Sequence, residues 1–251
     1  MKKIFVIANW KMNPQSLDEA KKIFNSIKKG IKNKKVKVVI CPPFLFIPNL
    51  KPKSPVELGA QDCFWKQKGA YTGEVSPQML KNLRVKYIIV GHSERRKNFG
   101  EGEEIINKKI KAILEMNLCP VFCLGETKEE RDRGQTFKVL EKQLKEGLKG
   151  VNKTKVKNLI LVYEPVWAIS TTKDAMVCST QDALDAILFL RKLISQAFNK
   201  KMGKIISILY GGSVDGENAK DFLKEKWING ALVGAASLDS KDFKKIIKSV
   251  Y

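Results

Sequence analysis

The sequence predicts an α/β fold, a single-domain (β/α)8 barrel, on three observations. Eight short apolar runs alternate with segments of helical periodicity, no hairpin turn joins one run to the next, and 251 residues is the size that eight such units need. Strands buried on both faces read as near-continuous apolar runs, the pattern of parallel strands covered by helices rather than of an antiparallel sheet with one wet face. The whole chain, 1–251, is expected to be one domain. A doubly wound open sheet is the alternative, but no glycine-rich dinucleotide or P-loop pattern follows the first run to open one.

Ile4-Phe5-Val6-Ile7-Ala8 reads as the first buried strand, followed by Asn9-Trp10-Lys11-Met12-Asn13 and then by Ser16-x-x-Glu19, the signature of a capping box. Leu17, Ala20, Phe24, Ile27 and Ile31 recur at steps of three and four, which puts one apolar stripe on the helix that starts there. Val36–Ile40 is the second strand, closed by Cys41-Pro42-Pro43, and Val56–Gln61 a weaker third, followed by a long loop carrying Gly69-Ala70-Tyr71-Thr72-Gly73-Glu74. Tyr87–Val90 ends at Gly91-His92-Ser93-Glu94-Arg95-Arg96, and a helix bearing Ile106, Ile110, Ile113 and Leu114 leads to the fifth strand, Pro120–Leu124. After Gly125-Glu126-Thr127 comes a charged helical stretch. Leu159–Val162 is the sixth strand; Ser179-x-x-Asp182 opens a helix with Ala183, Ile187, Leu190, Ile194 and Ala197 on one face, and Gly203 is expected to end it. Ile205–Leu209 is the seventh strand, with a helix expected from about Glu217. Ala231–Val233 is the eighth, and Phe243, Ile246, Ile247 and Val250 stripe the last helix.

With 47 Lys+Arg against 26 Asp+Glu the formal charge is +21, which favours anionic ligands. The lysines are dispersed through the helical segments and form no arm or tail, so they read as solvated faces, and no specific nucleic-acid partner is expected. Five cysteines without a CxxC pair read as reduced, buried thiols of a cytoplasmic protein; Cys119 and Cys123, four residues apart on a strand, are ~13 Å apart, too far for one disulfide or one metal. Met1-Lys2-Lys3 running into the first strand gives no signal peptide, and no apolar stretch has the length of a membrane span.

The reactive face of such a barrel lies at the C-terminal ends of its strands, and the unusual residues collect there. Glu164 ends an apolar run and is stopped by Pro165, which has no N–H to continue a ladder, so a strand delivers a carboxylate to the rim. The apolar loop Val166-Trp167-Ala168-Ile169 behind it suits a part-time lid; the competing reading of Glu164 is an acid that caps the next helix. His92, the chain's one histidine, follows the fourth strand, where the positive end of a helix dipole disfavours a second charge and keeps the ring neutral. Lys11 and Asn9 follow the first strand. Tyr210-Gly211-Gly212-Ser213 and Gly234-Ala235-Ala236-Ser237 expose backbone N–H groups in two neighbouring turns, a cup for phosphate. A base, a neutral donor, a cation and a phosphate cup suit proton abstraction beside the carbonyl of a small phosphorylated substrate, with no metal and no cofactor. A barrel aldolase with a Schiff base on Lys11 and, from another class, a nucleic-acid-binding protein are the rivals.

From Asn9-Trp10-Lys11-Met12-Asn13 to Val233-Gly234-Ala235-Ala236-Ser237-Leu238 the chain resembles the triosephosphate isomerase family, through Gly91–Arg96, Tyr163-Glu164-Pro165-Val166-Trp167-Ala168-Ile169 and Tyr210–Ser213 in that order. The resemblance implies a TIM barrel that interconverts D-glyceraldehyde 3-phosphate and dihydroxyacetone phosphate in glycolysis and gluconeogenesis. It implies Glu164 as base, His92 as neutral electrophile, Lys11 and Asn9 as partners of the substrate, and Glu94 as a supporting acid; this enzyme is a worked case of pKa tuning and loop closure. Ser170, Ser213, Gly211, Gly212, Gly234 and Ala235 would bind substrate. A homodimer is implied in which the loop around Thr72 inserts near Lys11 and Met12 of the partner. Two departures stand out: Ser170-Thr171-Thr172 replaces the family's Gly-Thr-Gly lid tip, and Gly234-Ala235 replaces two glycines, so closure is expected to follow a path with φ < 0 at the tip.

Overall fold

The computed structural model describes residues 4–31, 35–170 and 175–250; Met1, Lys2, Lys3, Thr171 and Thr172, on which sequence expectations fall, lie outside the described residues. Eight parallel strands close into a barrel in chain order, β1 (Ile4–Asn9) lying between β2 (Val36–Cys41) and β8 (Gly230–Val233). Between them run β3 (Val56–Ala60), β4 (Tyr87–Val90), β5 (Cys119–Leu124), β6 (Ile160–Tyr163) and β7 (Ser207–Tyr210). The helices, in order, are α1 (Leu17–Gly30), α2 (Pro77–Asn82), α3 (Ser93–Phe99), α4 (Glu103–Glu115), α5 (Lys128–Asp132), α6 (Thr136–Gly147), α7 (Thr180–Ala197), α8 (Lys200–Ile205), α9 (Ala219–Leu223) and α10 (Ser240–Lys248).

The period of two along each strand splits the core into two layers. Ile4, Val6 and Ala8 face the helices with Phe24, Ile27 and Phe243, whereas Phe5, Ile7, Val39, Ile89, Val121, Val162, Leu209 and Leu232 fill the barrel's interior. That parity decides which strand-end residues enter the site. Asn9 continues Phe5 and Ile7 inward, and Glu164 continues Ile160 and Val162.

The helix starts are those the capping residues predict: Ser16 and Ser179 accept the N–H groups of Glu19 and Asp182. The complete reciprocal box is elsewhere, at Thr127 and Glu130, where α5 begins. Gly203 does not end the helix before it. α7 stops at Ala197, which is exposed, and Asn199 caps α8, inside which Gly203 is buried at a position that admits only glycine, since a Cβ there would collide with the Ser195 hydroxyl. Ile205 therefore closes α8 and β7 starts at Ser207, while the helix expected from Glu217 begins at Ala219, after turns held by the Asp215 carboxylate. Cys41, Cys63, Cys123 and Cys178 are buried free thiols, but Cys119, at the mouth of the barrel floor, is only half-buried.

Candidate active site

Three strand ends and two turns meet at the C-terminal mouth of the barrel around a cavity of about 210 Å3, smaller than the range usual for drug-sized ligands and suited to a molecule of a few heavy atoms. Asn9, Lys11, His92, Glu164, Ser170, Gly211, Gly212, Ser213, Gly234 and Ala235 all line it. Glu94 does not. It stands behind Lys11, with Oε1 2.6 Å from Nζ.

Glu164 is 3 % exposed, and its backbone N–H continues the ladder to Leu124 at 2.8 Å. Gly125 makes room for it, since a Cβ at 125 would overlap the Glu164 carbonyl, and Gly211 does the same beside Val162 and the Glu164 Cβ. Both carboxylate oxygens are held: Oε1 lies 2.8 Å from His92 Nε2, and Oε2 accepts the Ser93 N–H at 3.0 Å, at the N-terminus of α3. A carboxylate fixed in this way is preorganised, and a reacting substrate has to displace one of the two donors.

His92 is the N-cap of α3, and its Nδ1 accepts the Glu94 N–H at 3.3 Å. An accepting Nδ1 leaves the hydrogen on Nε2, the atom that faces Glu164. Burial pulls the His92 pKa down, but the Glu164 carboxylate outweighs burial and, with Glu94, holds it above the ordinary value.

Lys11 adopts φ 54, a left-handed conformation that costs a side chain with a Cβ of order 1–3 kcal/mol. The cost is met locally: Asn9 Oδ1 accepts the Lys11 N–H at 3.0 Å, and Gln61 Nε2 donates to the Lys11 carbonyl at 2.8 Å. Asn9 thus aims Lys11 into the cavity, which its position beside a lysine in the sequence does not announce.

The glycine turns differ in part from a simple open cup. Gly211 N–H donates to the Tyr163 carbonyl at 2.7 Å, and both the N–H and the hydroxyl of Ser213 donate to the Ala168 carbonyl, at 3.0 and 2.8 Å. Ser213 therefore holds the base of the loop that carries Glu164. In the other turn the short 3-10 helix Ala235–Ser237 presents its first N–H groups from the cavity wall, while Ser237 is tied back to the Gly234 carbonyl.

The apolar loop after Glu164 is a buried 3-10 turn, Val166–Ala168, with Trp167 2 % exposed and its Nε1 donating to Glu126 at 2.8 Å. Glu126 is fully buried and takes the Tyr163 hydroxyl as well, at 3.0 Å. The anchoring role of Glu126 is absent from the sequence reading, and so are Val214, Asp215 and Leu232 as wall residues, whereas Ile169 of the apolar loop and Ala236 of the second turn stand on the cavity wall beside the residues named with them. An acid immediately after the fifth strand was the available signal for Glu126; the others carry ordinary side chains and are brought in by the barrel's closure.

The family model described as Triosephosphate isomerase matches residues 4–250. The chain is 44% identical over 254 residues to "Triosephosphate isomerase" of Dictyoglomus turgidum, covering 99% of this chain and 100% of that protein. It is 46% identical over 248 residues to the protein of the same name from Aquifex aeolicus, covering 97% and 98%, and 43% identical over 250 residues to that of Thermoanaerobacter pseudethanolicus, covering 98% and 99%.

Proposed function

Because the chain belongs to the triosephosphate isomerase family and interconverts D-glyceraldehyde 3-phosphate and dihydroxyacetone phosphate in glycolysis, we propose that Glu164 is the base that moves the proton. The observation that carries this reading is the buried pair of Glu164 and His92 at 2.8 Å on the wall of a small cavity that also holds Lys11. Glu164 takes a proton from the carbon beside the carbonyl; the developing enediolate oxygen receives a hydrogen bond from His92 Nε2 and the field of Lys11; the proton returns to the neighbouring carbon. As Glu164 turns to the substrate, the carboxylate that raises the His92 pKa leaves its side. Burial, Lys11 and the Glu94 N–H on Nδ1 then favour the neutral ring against the remaining pull of the Glu94 carboxylate, and a neutral ring donates without first losing a proton. Asn9 positions Lys11, and Glu94 steadies its ammonium.

For the phosphate, Gly212, Gly234 and Ala235 supply backbone donors. Ser213 and Ser170 join when the loop base moves, because the Ser213 donors now on Ala168 are released by that motion. The whole chain, 1–251, works as one domain in the cytoplasm without a cofactor; among the described residues no helix is long and apolar enough to cross a membrane. A coupled assay run in both directions tests the activity: turnover with each triose phosphate, and no borohydride-trapped adduct on Lys11, is the expected result. A trapped adduct would point to Schiff-base chemistry instead.

The chain acts as a homodimer. Met12 (86 % exposed), Leu45 (69 %) and Tyr71 (42 %) are exposed apolar side chains on the segments that leave β1, β2 and β3, three neighbours in the barrel, and Met12 directly follows Lys11. Thr72, exposed on the same loop as Tyr71, inserts into the partner. Thr72→Arg is expected to shift sedimentation from dimer to monomer at micromolar concentration and to lower activity in parallel. A native protein that already sediments as a monomer removes the basis for this assembly.

A further inference from the structure

The lysines that are scattered along the sequence are gathered by the barrel's topology onto one face. Every connection from a helix back to a strand passes over the N-terminal end of the barrel, opposite the active site. Lys35 precedes β2, Lys51 and Lys53 precede β3, and Arg84 and Lys86 precede β4. Lys153, Lys155 and Lys157 precede β6; Lys200, Lys201 and Lys204 on α8 precede β7; Lys224 and Lys226 precede β8. In the loops of this face Glu225 is the single acid among the described residues. The loops of the opposite face are the reverse. The strand-to-helix loops carry Asp62, Glu74, Glu126, Glu164, Asp215, Glu217 and Asp239, and among the described residues their cations are Lys11, Lys66 and Lys68. Compensation of helix dipoles explains a cation in the last turn of a helix, as at Lys204, but not Lys51, Lys53, Lys153 or Lys157, which lie beyond any α-helix.

A face with a large excess of one sign produces a directed field that concentrates polyanions, and the excess remains after Lys224 is paired with Asp221 at 3.2 Å and Lys86 with Glu57. In the middle of this one is a cavity of about 350 Å3, lined by Lys86, Lys157, Asn117, Asn158, Ser207 and Tyr87. Lys157 is exposed at its rim, and Lys86 meets Glu57 at 2.7 Å. We propose that this face binds single-stranded nucleic acid without sequence preference, its phosphates held by the loop lysines and its chain dipping into the recess. An anionic bilayer fits less well. The large exposed apolar side chains in these connections are Leu83, Ile205 and Trp227, one to a connection, and the Trp227 ring already has Lys226 Nζ at 5.3 Å and Arg191 at 5.5 Å. A flat membrane also cannot follow a concave wall.

The test compares two variants of equal net charge in the full chain. One reverses four exposed face lysines (Lys157→Glu, Lys200→Glu, Lys204→Glu, Lys226→Glu); the other reverses four exposed lysines on the helical girdle (Lys22→Glu, Lys138→Glu, Lys142→Glu, Lys192→Glu). Binding of fluorescein-labelled oligouridylate is followed by anisotropy between about 50 and 200 mM salt. The face variant is expected to lose at least about tenfold in affinity and to flatten the slope of log K against log salt by up to ~3, since each lost phosphate contact removes about 0.7. The girdle variant should lose less than about threefold, and both should retain full isomerase turnover. Equal losses in the two variants, binding that does not weaken with salt, or tighter binding to phosphatidylglycerol vesicles than to oligouridylate at the same salt would each overturn the proposal.

Discussion

Glu164→Gln is expected to lower turnover by about 10²- to 10⁴-fold in the coupled assay, the usual worth of a positioned acid–base group. The substitution preserves shape, so what it removes is proton affinity. One consequence of the geometry has to be separated from this. Glu164 accepts from the His92 imidazole and from the Ser93 N–H at the head of α3, so it also satisfies a helix start, although not that of the helix following it in the chain. A glutamine keeps one acceptor oxygen and turns an NH2 toward the other donor, which costs about 1–3 kcal/mol if that donor is left unmatched. For a chain of this size that is a fall of several degrees in Tm, and it does not require any loss of rate. Binding of a substrate analogue should largely survive. If turnover falls by less than tenfold while Tm falls as described, Glu164 is a cap, and the base has to be sought elsewhere on the cavity wall.

The reasons for this site's legibility are also the limits of it. A closed parallel barrel buries both faces of its strands, so the sequence shows eight apolar runs, and each run points to the residue past its end. Asn9, Lys11, His92 and Glu164 could be placed on one rim for that reason. Periodicity does not mark where a strand starts when an apolar residue closes the preceding helix, as Ile205 does, nor does it separate a stopping glycine from a close-packed one, as at Gly203. Charge gave less. Asp62, Arg95, Glu101 and Lys109 are ordinary surface types in sequence, spread over three segments, and only the barrel brings them into one buried cluster. The basic face is the same case in reverse: no segment carrying it is a basic tract, and the alternation of strand and helix collects it.

That buried cluster carries the largest effect on stability. Lys109 is 3 % exposed and bridges two carboxylates, with Nζ 2.8 and 2.7 Å from the two oxygens of Asp62 and 2.6 Å from Glu101 Oε1. Arg95 meets the same two acids, Nε at 2.9 Å from Asp62 and Nη2 at 2.7 Å from Glu101. Lys109→Met keeps the stem and removes the charge, leaving Arg95 alone against two buried acids. Breaking a buried ion pair from one side costs about 3–5 kcal/mol. The loss should depend on pH. Burial raises the Asp62 pKa to about 6, against the opposing pull of Lys109. At Glu101 burial also acts upward, but the hydrogen bonds from Arg95 and Lys109 outweigh it and hold that carboxyl low. With Lys109 gone both acids lose a cation and both pKa values rise, so the folded variant binds protons that the unfolded chain does not. Such a group destabilises the fold above its folded pKa and ceases to do so as pH falls toward the unfolded value. In denaturant melts Lys109→Met is therefore expected to be least stable relative to the parent near pH 8 and to recover part of the deficit by pH 5. A deficit that is constant from pH 8 to pH 5 would mean that lost packing of the lysine stem, and not uncompensated carboxylate charge, is what the substitution costs.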